Sequence, residues 1–265
     1  MSYDLSAALT LPPPFYLAPL ITGSEHLHFG YYNDASDDFQ TALDNMMKLN
    51  LFFLPPSAKR VLDAGSGLGA TTRLLAKRGL DVTSLCPQPE LVEYGKRRAA
   101  EEDISGTIEW QLTGFESYDT DHKFDFVLFQ ESFQYLDDLE DAVARLARMP
   151  RPGGRVVVGD QFLNEDRPRS VARFHWYDRF HELALSHGLY PRTACDITNG
   201  VFPTTQRFMA DLERRAQELI DTHKEAKPDI EADIEAAMAG GGLELEGMFG
   251  GQLSYRILVY DAPEG

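Results

Sequence analysis

The chain has 265 residues, 43% of them apolar, which is enough to bury one substantial core. It carries 42 acidic and 25 basic side chains, and the net charge of -17 produces a field that repels nucleic acid and anionic membranes. This charge argues against RNA or DNA substrates and favours a small-molecule partner. The alternative that it serves only solubility or salt tolerance remains open.

Targeting and redox signals are sparse. No uncharged apolar run approaches the ~20 residues of a membrane span. Residues 1–10 contain an acidic side chain and no basic one, so we expect no signal or transit peptide and a cytoplasmic protein. Cys86 and Cys195 are the two cysteines, and both fall in predicted strands. We therefore expect neither a disulfide framework nor a metal site.

Residues 1–58 form a predicted helical leader. Three prolines at 12–14 interrupt any early helix, and an aromatic segment, Glu-His-Leu-His-Phe-Gly-Tyr-Tyr, follows at 25–32. Apolar residues at helical spacing predict an amphipathic helix over 39–51, which Pro55 ends.

A glycine-rich turn at 61–72 is the strongest signal in the chain. A strand over 60–63 leads into Gly65, Gly67 and Gly69, and a helix over 71–78 follows. Glycines at alternate positions allow a tight turn and a close approach of ligand to backbone. The helix would point its unpaired amides and the positive end of its dipole at that ligand.

Two ligand classes use such a turn. The pattern Gly65-x-Gly67-x-x-Ala70 fits the dinucleotide fingerprint of oxidoreductases. Asp63, two residues before the first glycine, stands where dinucleotide-binding strands usually carry an apolar residue. With the glycines it resembles motif I, D-x-G-x-G-x-G, of class I S-adenosylmethionine (SAM) dependent methyltransferases, and the resemblance continues over about residues 58–160. It implies a set of cofactor contacts at Asp63, Gly65, Ser66, Gly67 and Gly69.

The aromatic leader segment is similar to the H-x-G-Y-W segment of the natural-product and sterol or tocopherol branch of that family. The resemblance implies that Tyr31 lies over the methionine end of the cofactor, where a ring attracts the sulfonium. The alternative is an aromatic cluster that only pins the leader to the core.

Two positions depart from the family's usual acidic contacts. The second strand, over 81–86, ends at Cys86 and Pro87, where most relatives place a ribose-binding acid and this branch carries small polar residues. After the third strand, over 107–112, Phe115 and Glu116 replace an adenine-binding Asp. We expect a ring stacked on adenine at Phe115 and a hydrogen-bond acceptor at Glu116.

The fourth strand, over 123–130, ends where ligands of such sheets bind. Gln130, Glu131 and Gln134 follow the x-E-S-x-x-H pattern of the same branch, with Gln134 in place of a frequent His. The resemblance implies that Gln130 and Gln134 contact the cofactor. A helix over 137–149 and a fifth strand over 156–160, after Arg-Pro-Gly-Gly-Arg, complete this part.

The remainder predicts a helix ending at Gly188, a strand over 193–198 and a helical insert over 204–239. Gly240–Gly242 is expected to be a hinge or loop, and alternation over 253–259 predicts a last, antiparallel strand. The predicted fold is α/β: a Rossmann-like, seven-stranded, mostly parallel sheet with helices on both faces. The predicted division is a leader at 1–58 and a methyltransferase-like domain at 59–265, with an insert at about 200–245 acting as a lid.

Methyl transfer from a sulfonium asks the protein mainly to align the reactants and exclude water, and a base helps when the methyl acceptor holds its proton tightly. Asp160 is the first candidate among the acids because it ends a strand on the ligand side. Each candidate also has a purely structural interpretation. The candidate catalytic residues are His28, Glu131, Asp160 and His175, with His181 as a further histidine.

The resemblance implies a SAM-dependent methyltransferase that acts on a small apolar or aromatic metabolite and releases S-adenosyl-L-homocysteine, without a metal. Two alternatives remain: a biosynthetic cyclase or isomerase of the same fold, and a binding module with a degenerate cofactor site. A homodimer is compatible with the sequence. Valine at Gly65 or Gly67 is expected to fill ligand space and abolish cofactor affinity while leaving the fold largely present.

Overall fold

The computed structural model describes residues 9–164 and 174–264, and its strands form one seven-stranded sheet in the order β3-β2-β1-β4-β5-β7-β6. Most strands lie within one or two residues of the predicted positions; β5 is longer because it continues in both directions. The strands are β1 (Arg60–Ala64), β2 (Asp81–Leu85), β3 (Thr107–Gln111), β4 (Phe124–Gln130), β5 (Pro150–Leu163), β6 (Tyr190–Asp196) and β7 (Leu253–Asp261).

The first five strands pair in parallel, and β7 runs antiparallel to both β5 and β6. This confirms the predicted Rossmann-like, mostly parallel sheet with an antiparallel last strand. That strand lies inside the sheet, because β6 pairs with its outer side. From β1 the strands are added toward one edge of the sheet, as far as β3, and from β4 they are added toward the other edge. This reversal between β1 and β4 opens a crevice outside their carboxyl ends.

Helices cover both faces of the sheet. Val61 and Leu128 point to the layer that contains α2 and α3, and Leu62 and Phe129 point to the layer that contains α5 and α6. This alternation within buried strands explains their continuous apolar runs. The helices are α1 (Leu17–Thr22), α2 (Phe39–Phe52), α3 (Ala70–Lys77), α4 (Pro89–Ala100), α5 (Leu139–Leu146), α6 (Tyr177–Ser186), α7 (Thr198–His223) and α8 (Ile230–Phe249).

The prediction of a hinge or loop at Gly240–Gly242 was wrong, because these residues lie inside α8. Packing against α7 explains Gly241, where a Cβ would lie 2.9 Å from Met209 Sδ, whereas a Cβ on Gly240 or Gly242 would meet no atom within 4 Å. The close approach of the two helices outweighs the poor helix propensity of glycine. The helical insert accordingly runs from Thr198 to Phe249, further than predicted at both ends.

The leader contributes two helices. α2 packs on the sheet through Met46 and Met47, and α1 packs on α7 and α8 through Tyr16 and Leu17. Residues 1–8, part of the predicted leader, and residues 165–173, which follow the predicted fifth strand, lie outside the described residues. The division into a leader and a catalytic domain stays a prediction. No helix in 9–164 or 174–264 is long and apolar enough to cross a membrane.

Candidate active site

A cavity of about 430 Å³ lies at the carboxyl ends of β1, β2 and β4, beneath the leader. Its volume is within the range of cofactor and ligand sites. The structure brings most of the predicted site residues together there, although they come from five separate parts of the chain. Those in its wall are His28, Asp63, Gly65, Ser66, Gly67, Cys86, Pro87, Phe115, Glu116, Gln130, Glu131 and Gln134.

The glycine turn follows β1 and is tied to the end of β2. The backbone N–H groups of Gly65 and Ser66 both donate to the carbonyl of Leu85, at 3.1 and 2.9 Å. Gly65 and Gly67 have φ values of 104° and 53°, which favour glycine. The turn therefore presents backbone rather than side chains to the cavity.

The glycines are needed for a reason that differs from the predicted one. A Cβ on Gly65 would lie 2.3 Å from the Cβ of Ser132, in the loop after β4. A Cβ on Gly67 would lie 3.2 Å from Leu27 Cδ1, in the leader. The expectation that a side chain at Gly65 would fill ligand space is corrected, since the space beside it is occupied by protein.

Two predicted cofactor contacts lie away from the cavity wall. Gly69 begins α3, and a Cβ there would lie 2.6 Å from the Trp110 ring, so it serves helix packing. Tyr31 packs against Gly200 and borders a separate cavity of about 400 Å³ beside the start of α7. Its backbone N–H donates to the carbonyl of Ala42 at 2.8 Å, and its ring is not part of the wall of the larger cavity.

Asp63 is buried at the base of the turn. Its carboxylate accepts a hydrogen bond from Thr72 Oγ1 at 2.5 Å, and Thr72, Ser84 and Ser66 continue the chain of hydroxyl contacts. Burial raises the pKa of Asp63 to about 6, and the Thr72 hydroxyl opposes this shift. The carboxyl group thus titrates close to neutrality.

The ends of β2 and β3 form one side of the cavity. Cys86 is buried, burial raises the pKa of its thiol, and its Sγ lies 3.3 Å from Gln88 Oε1. Phe115 packs edge-to-face on Phe129 with ring centroids 4.8 Å apart. Glu116 accepts the backbone N–H of Asp137 at 2.8 Å. This side therefore offers an apolar ring and polar groups in place of the family's usual acids.

Glu131 is held in a strained position directly after β4. Its φ of 54° is the one positive value among the non-glycine residues that the structure describes. Oε1 accepts the N–H of Phe29 at 2.6 Å and the hydroxyl of Tyr255 at 2.8 Å, and neither contact engages Oε2. Burial raises the pKa of this carboxyl to about 8. Perturbed, strained carboxyls in a cavity wall are typical of catalytic sites.

His28 borders the same cavity from the leader. Its Nδ1 lies 2.9 Å from the carbonyl of Phe29, so we assign the ring proton to Nδ1 and the lone pair to Nε2. Nε2 is buried, without a hydrogen-bond partner in the described part of the chain. Burial lowers the pKa of His28 to about 3 and that of neighbouring His26 to about 4. Both rings are neutral at physiological pH and are poor bases.

The structure does not bring the other catalytic candidates to the cavity wall. Asp160 lies behind it, where its carboxylate accepts the backbone N–H of Gln134 at 3.1 Å. His175 lies beside the Phe133 ring, and His181 Nδ1 lies 2.8 Å from the Tyr260 hydroxyl. The cause is the direction of the side chains: Asp160 ends the predicted strand on the ligand side but supports the loop from beneath.

Sequence reasoning missed the anchor of the leader. Glu25 accepts hydrogen bonds from Arg98 Nε and Tyr94 Oη, each at 2.7 Å, and pairs with the buried Arg73. These contacts hold Leu27 against the glycine turn. No local pattern marks Glu25, because its partners lie 48 to 73 residues away.

Comparisons with known proteins agree with this geometry. Residues 62–158 match the family model described as a methyltransferase domain. A probable tocopherol O-methyltransferase, chloroplastic, of Oryza sativa subsp. japonica is 33% identical over 147 residues, which are 51% of this chain and 40% of that protein. The 27-O-demethylrifamycin SV methyltransferase of Amycolatopsis mediterranei is 27% identical, over 68% of this chain and 72% of that protein. The chain thus spans about two fifths of the rice protein's length.

Solved structures share the fold over nearly the whole chain. The cyclopropane synthase MmaA2 of Mycobacterium tuberculosis has a TM-score of 0.79 at 15% identity, covering 97% of both chains. The [4+2]-cyclase SpnF has a TM-score of 0.78 at 20% identity, covering 99% of this chain and 94% of its own. Among described residues no His, Cys, Asp and Glu cluster suits a metal ion. Through its methyltransferase-domain match over residues 62–158, its relatives and its sheet, the chain is similar to class I SAM-dependent small-molecule methyltransferases.

Proposed function

We propose that the protein transfers a methyl group from SAM to a hydroxyl group of a small molecule. The observation that carries this proposal is the strained, buried Glu131 in the wall of the cavity. The named O-methyltransferases among the relatives support an oxygen as the atom methylated. They do not favour the cyclase or binding-module alternatives.

The residues present fit the cofactor. SAM carries a sulfonium and an ammonium group, and the cavity wall supplies the Asp63 carboxyl beside backbone free of side chains. In the proposal, Asp63 and the turn hold the amino-acid end, Cys86, Pro87 and Gln88 line the ribose, and Phe115 and Glu116 border the adenine. When bound, SAM supplies an electrophilic methyl group whose bonding electron pair leaves with sulfur.

In the proposed reaction, Glu131 takes the proton of the hydroxyl group. Its Oε1 is fixed by Phe29 and Tyr255, which leaves Oε2 for the substrate. A pKa of about 8 makes the carboxylate a stronger base than an ordinary glutamate, and a neighbouring cation lowers that pKa toward neutrality. Asp160 acts as a positioning residue, because it holds the backbone of the loop behind Glu131 at Gln134.

Isothermal titration with SAM and S-adenosyl-L-homocysteine tests the cofactor part of the proposal. We expect micromolar binding of both. Methyl-labelled SAM, incubated with extracts and fractionated, then identifies the methylated compound. Absence of binding by either nucleoside contradicts the proposal. The cytoplasmic location, the absence of nucleic-acid and membrane partners and a homodimer belong to the same proposal, and the charge of -17 supports those absences.

A further inference from the structure

The cavity wall carries acidic side chains but no cationic one from the described part of the chain. Its carboxyl side chains are Glu25, Asp63, Glu116 and Glu131, and no lysine or arginine of the described segments lines it. Arg73 and Arg98 neutralise Glu25 from behind. In the proposal, the carboxylate of SAM faces the unpaired backbone amides at the start of α3. A further phosphate or carboxylate, brought beside Glu131 by the methyl acceptor, would lose its hydration without meeting a fixed cation, which is costly.

Two buried hydrogen-bond acceptors in the same wall have no partner in the described chain. One is His28 Nε2, whose lone pair is set by the Nδ1 contact to Phe29. The other is Gln134 Oε1, since the amide nitrogen of Gln134 donates to the carbonyl of Glu131 at 3.4 Å. Both residues are more than nine-tenths buried and both border the cavity.

We propose that the methyl acceptor is an uncharged hydroxyl compound that donates hydrogen bonds to His28 Nε2 and Gln134 Oε1, and that phosphate- or carboxylate-bearing compounds are excluded. This inference rests on the proposed function and narrows its substrate class. A hydroxyl compound satisfies atoms that are otherwise left unpaired in the wall. A compound without a hydroxyl group leaves both acceptor atoms unpaired, and sites of this kind discriminate strongly against such compounds.

Three related compounds test whether anionic methyl acceptors are excluded. Hydroquinone, 4-hydroxybenzoate and 4-hydroxyphenyl phosphate share a phenolic hydroxyl and differ in charge. With labelled SAM we expect kcat/KM for hydroquinone to exceed both anionic values by at least about thirtyfold, a discrimination within the range of polar sites. Equal or faster methylation of either anion overturns the inference. So does the absence of any hydroquinone methylation by protein that binds SAM, whereas protein that binds no SAM contradicts the proposed function itself.

Variants test the two contacts. Gln134→Leu and His28→Leu remove the lone pairs, and we expect each to raise the KM for hydroquinone about tenfold, as loss of one buried hydrogen bond does. Gln134→His restores a lone pair and should recover most of the affinity. The matched control is Gln161→Leu, because Gln161 Oε1 is also buried without a described partner but lies outside the cavity wall.

The control separates recognition from folding. We expect Gln161→Leu to leave the KM within about twofold of the parent value, as a change remote from the ligand does. An equal rise of KM in Gln161→Leu and Gln134→Leu, or no rise in Gln134→Leu and His28→Leu, overturns the assignment of these two atoms.

Discussion

The two halves of the cavity are built in different ways. In the cofactor half, the contacts are local: Thr72 reaches Asp63 across nine residues, and Ser84 reaches Ser66 across 18. In the acceptor half they are remote: Phe29 and Tyr255 reach Glu131 across 102 and 124 residues. The base of the cofactor half is one motif, which Leu27 and Ser132 cover, whereas the acceptor half exists only when the leader and β7 meet the loop after β4.

This difference predicts where each half fails. A local turn depends on backbone conformation, so substitutions there disturb the structure itself. A remote assembly depends on side chains that tie distant segments together, so substitutions there leave the sheet intact and change chemistry or closure. Substitutions in the two halves should therefore differ in whether they change stability, catalysis or cofactor binding.

Gly65→Val is expected to have the largest effect. The substituted side chain would overlap Ser132, and φ is 104°, so we expect the free energy of unfolding to fall by about 3 kcal/mol or more. Chemical denaturation measures this. Gly114→Ala is the control, because a Cβ there meets no atom within 4 Å, and it should change the free energy by about 0.5 kcal/mol or less. Near-equal stability of the two variants would contradict the local account of the turn.

Glu131→Gln is expected to lower kcat by about 10²- to 10⁴-fold while leaving the Kd for SAM within about threefold. The amide oxygen still accepts from Phe29 and Tyr255, so the fold is retained. Initial rates and titration measure the two constants. An unchanged kcat in this variant would show that Glu131 does not act as the base.

The pH dependence of the same variant gives a second test. The folded pKa of about 8 lies above that of an unfolded glutamate, about 4.3, so the wild-type protein loses stability as pH rises from about 4 to 8. Glu131→Gln lacks this loss, and its stability relative to wild type should grow over that interval in denaturation at fixed pH. A constant difference would show that burial does not perturb Glu131.

Glu25→Gln is expected to weaken SAM binding by about tenfold, because it leaves the buried Arg73 less compensated and loosens Leu27 over the turn. Titration calorimetry measures the Kd. Glu93→Gln is the control, since the Glu93–Lys96 pair is exposed and should contribute almost nothing. Equal Kd values for both variants would mean that the leader does not support the cofactor half.

The smallest effect is expected from the ionisation of Asp63. Its carboxyl is protonated below a pKa of about 6, so its charge and its attraction for a cationic cofactor are lost as pH falls. We expect the Kd for SAM to rise about fourfold from pH 7.5 to 5.5. His26 and His28 stay neutral throughout this range. Asp63→Asn should bind SAM more weakly, and its Kd should not rise over this pH interval. If its Kd rises as in the wild type, a group other than Asp63 causes the pH dependence.

The same contrast explains what the sequence could predict. Buried strands, the glycine turn and the antiparallel β7 leave patterns within a few residues, and each was found near its observed position. Asp160 and Glu131 were both candidates, but no local pattern shows which acid faces the cavity, because that depends on a backbone angle and on two distant donors. The hinge expected at Gly240–Gly242 failed because a glycine run by itself favours a loop, whereas Gly241 packs against Met209 of the preceding helix, α7.

Because β6 and β7 are paired, the helical segment that connects them can vary in length without disturbing the sheet. Asp196 and Arg256 are register partners, so the chain leaves the sheet into α7 and returns from α8 at nearly the same point. The entropy of closing a loop grows only slowly with its length. The helical hairpin between them is therefore free to lengthen, shrink or be exchanged while the strand ladder keeps its alignment.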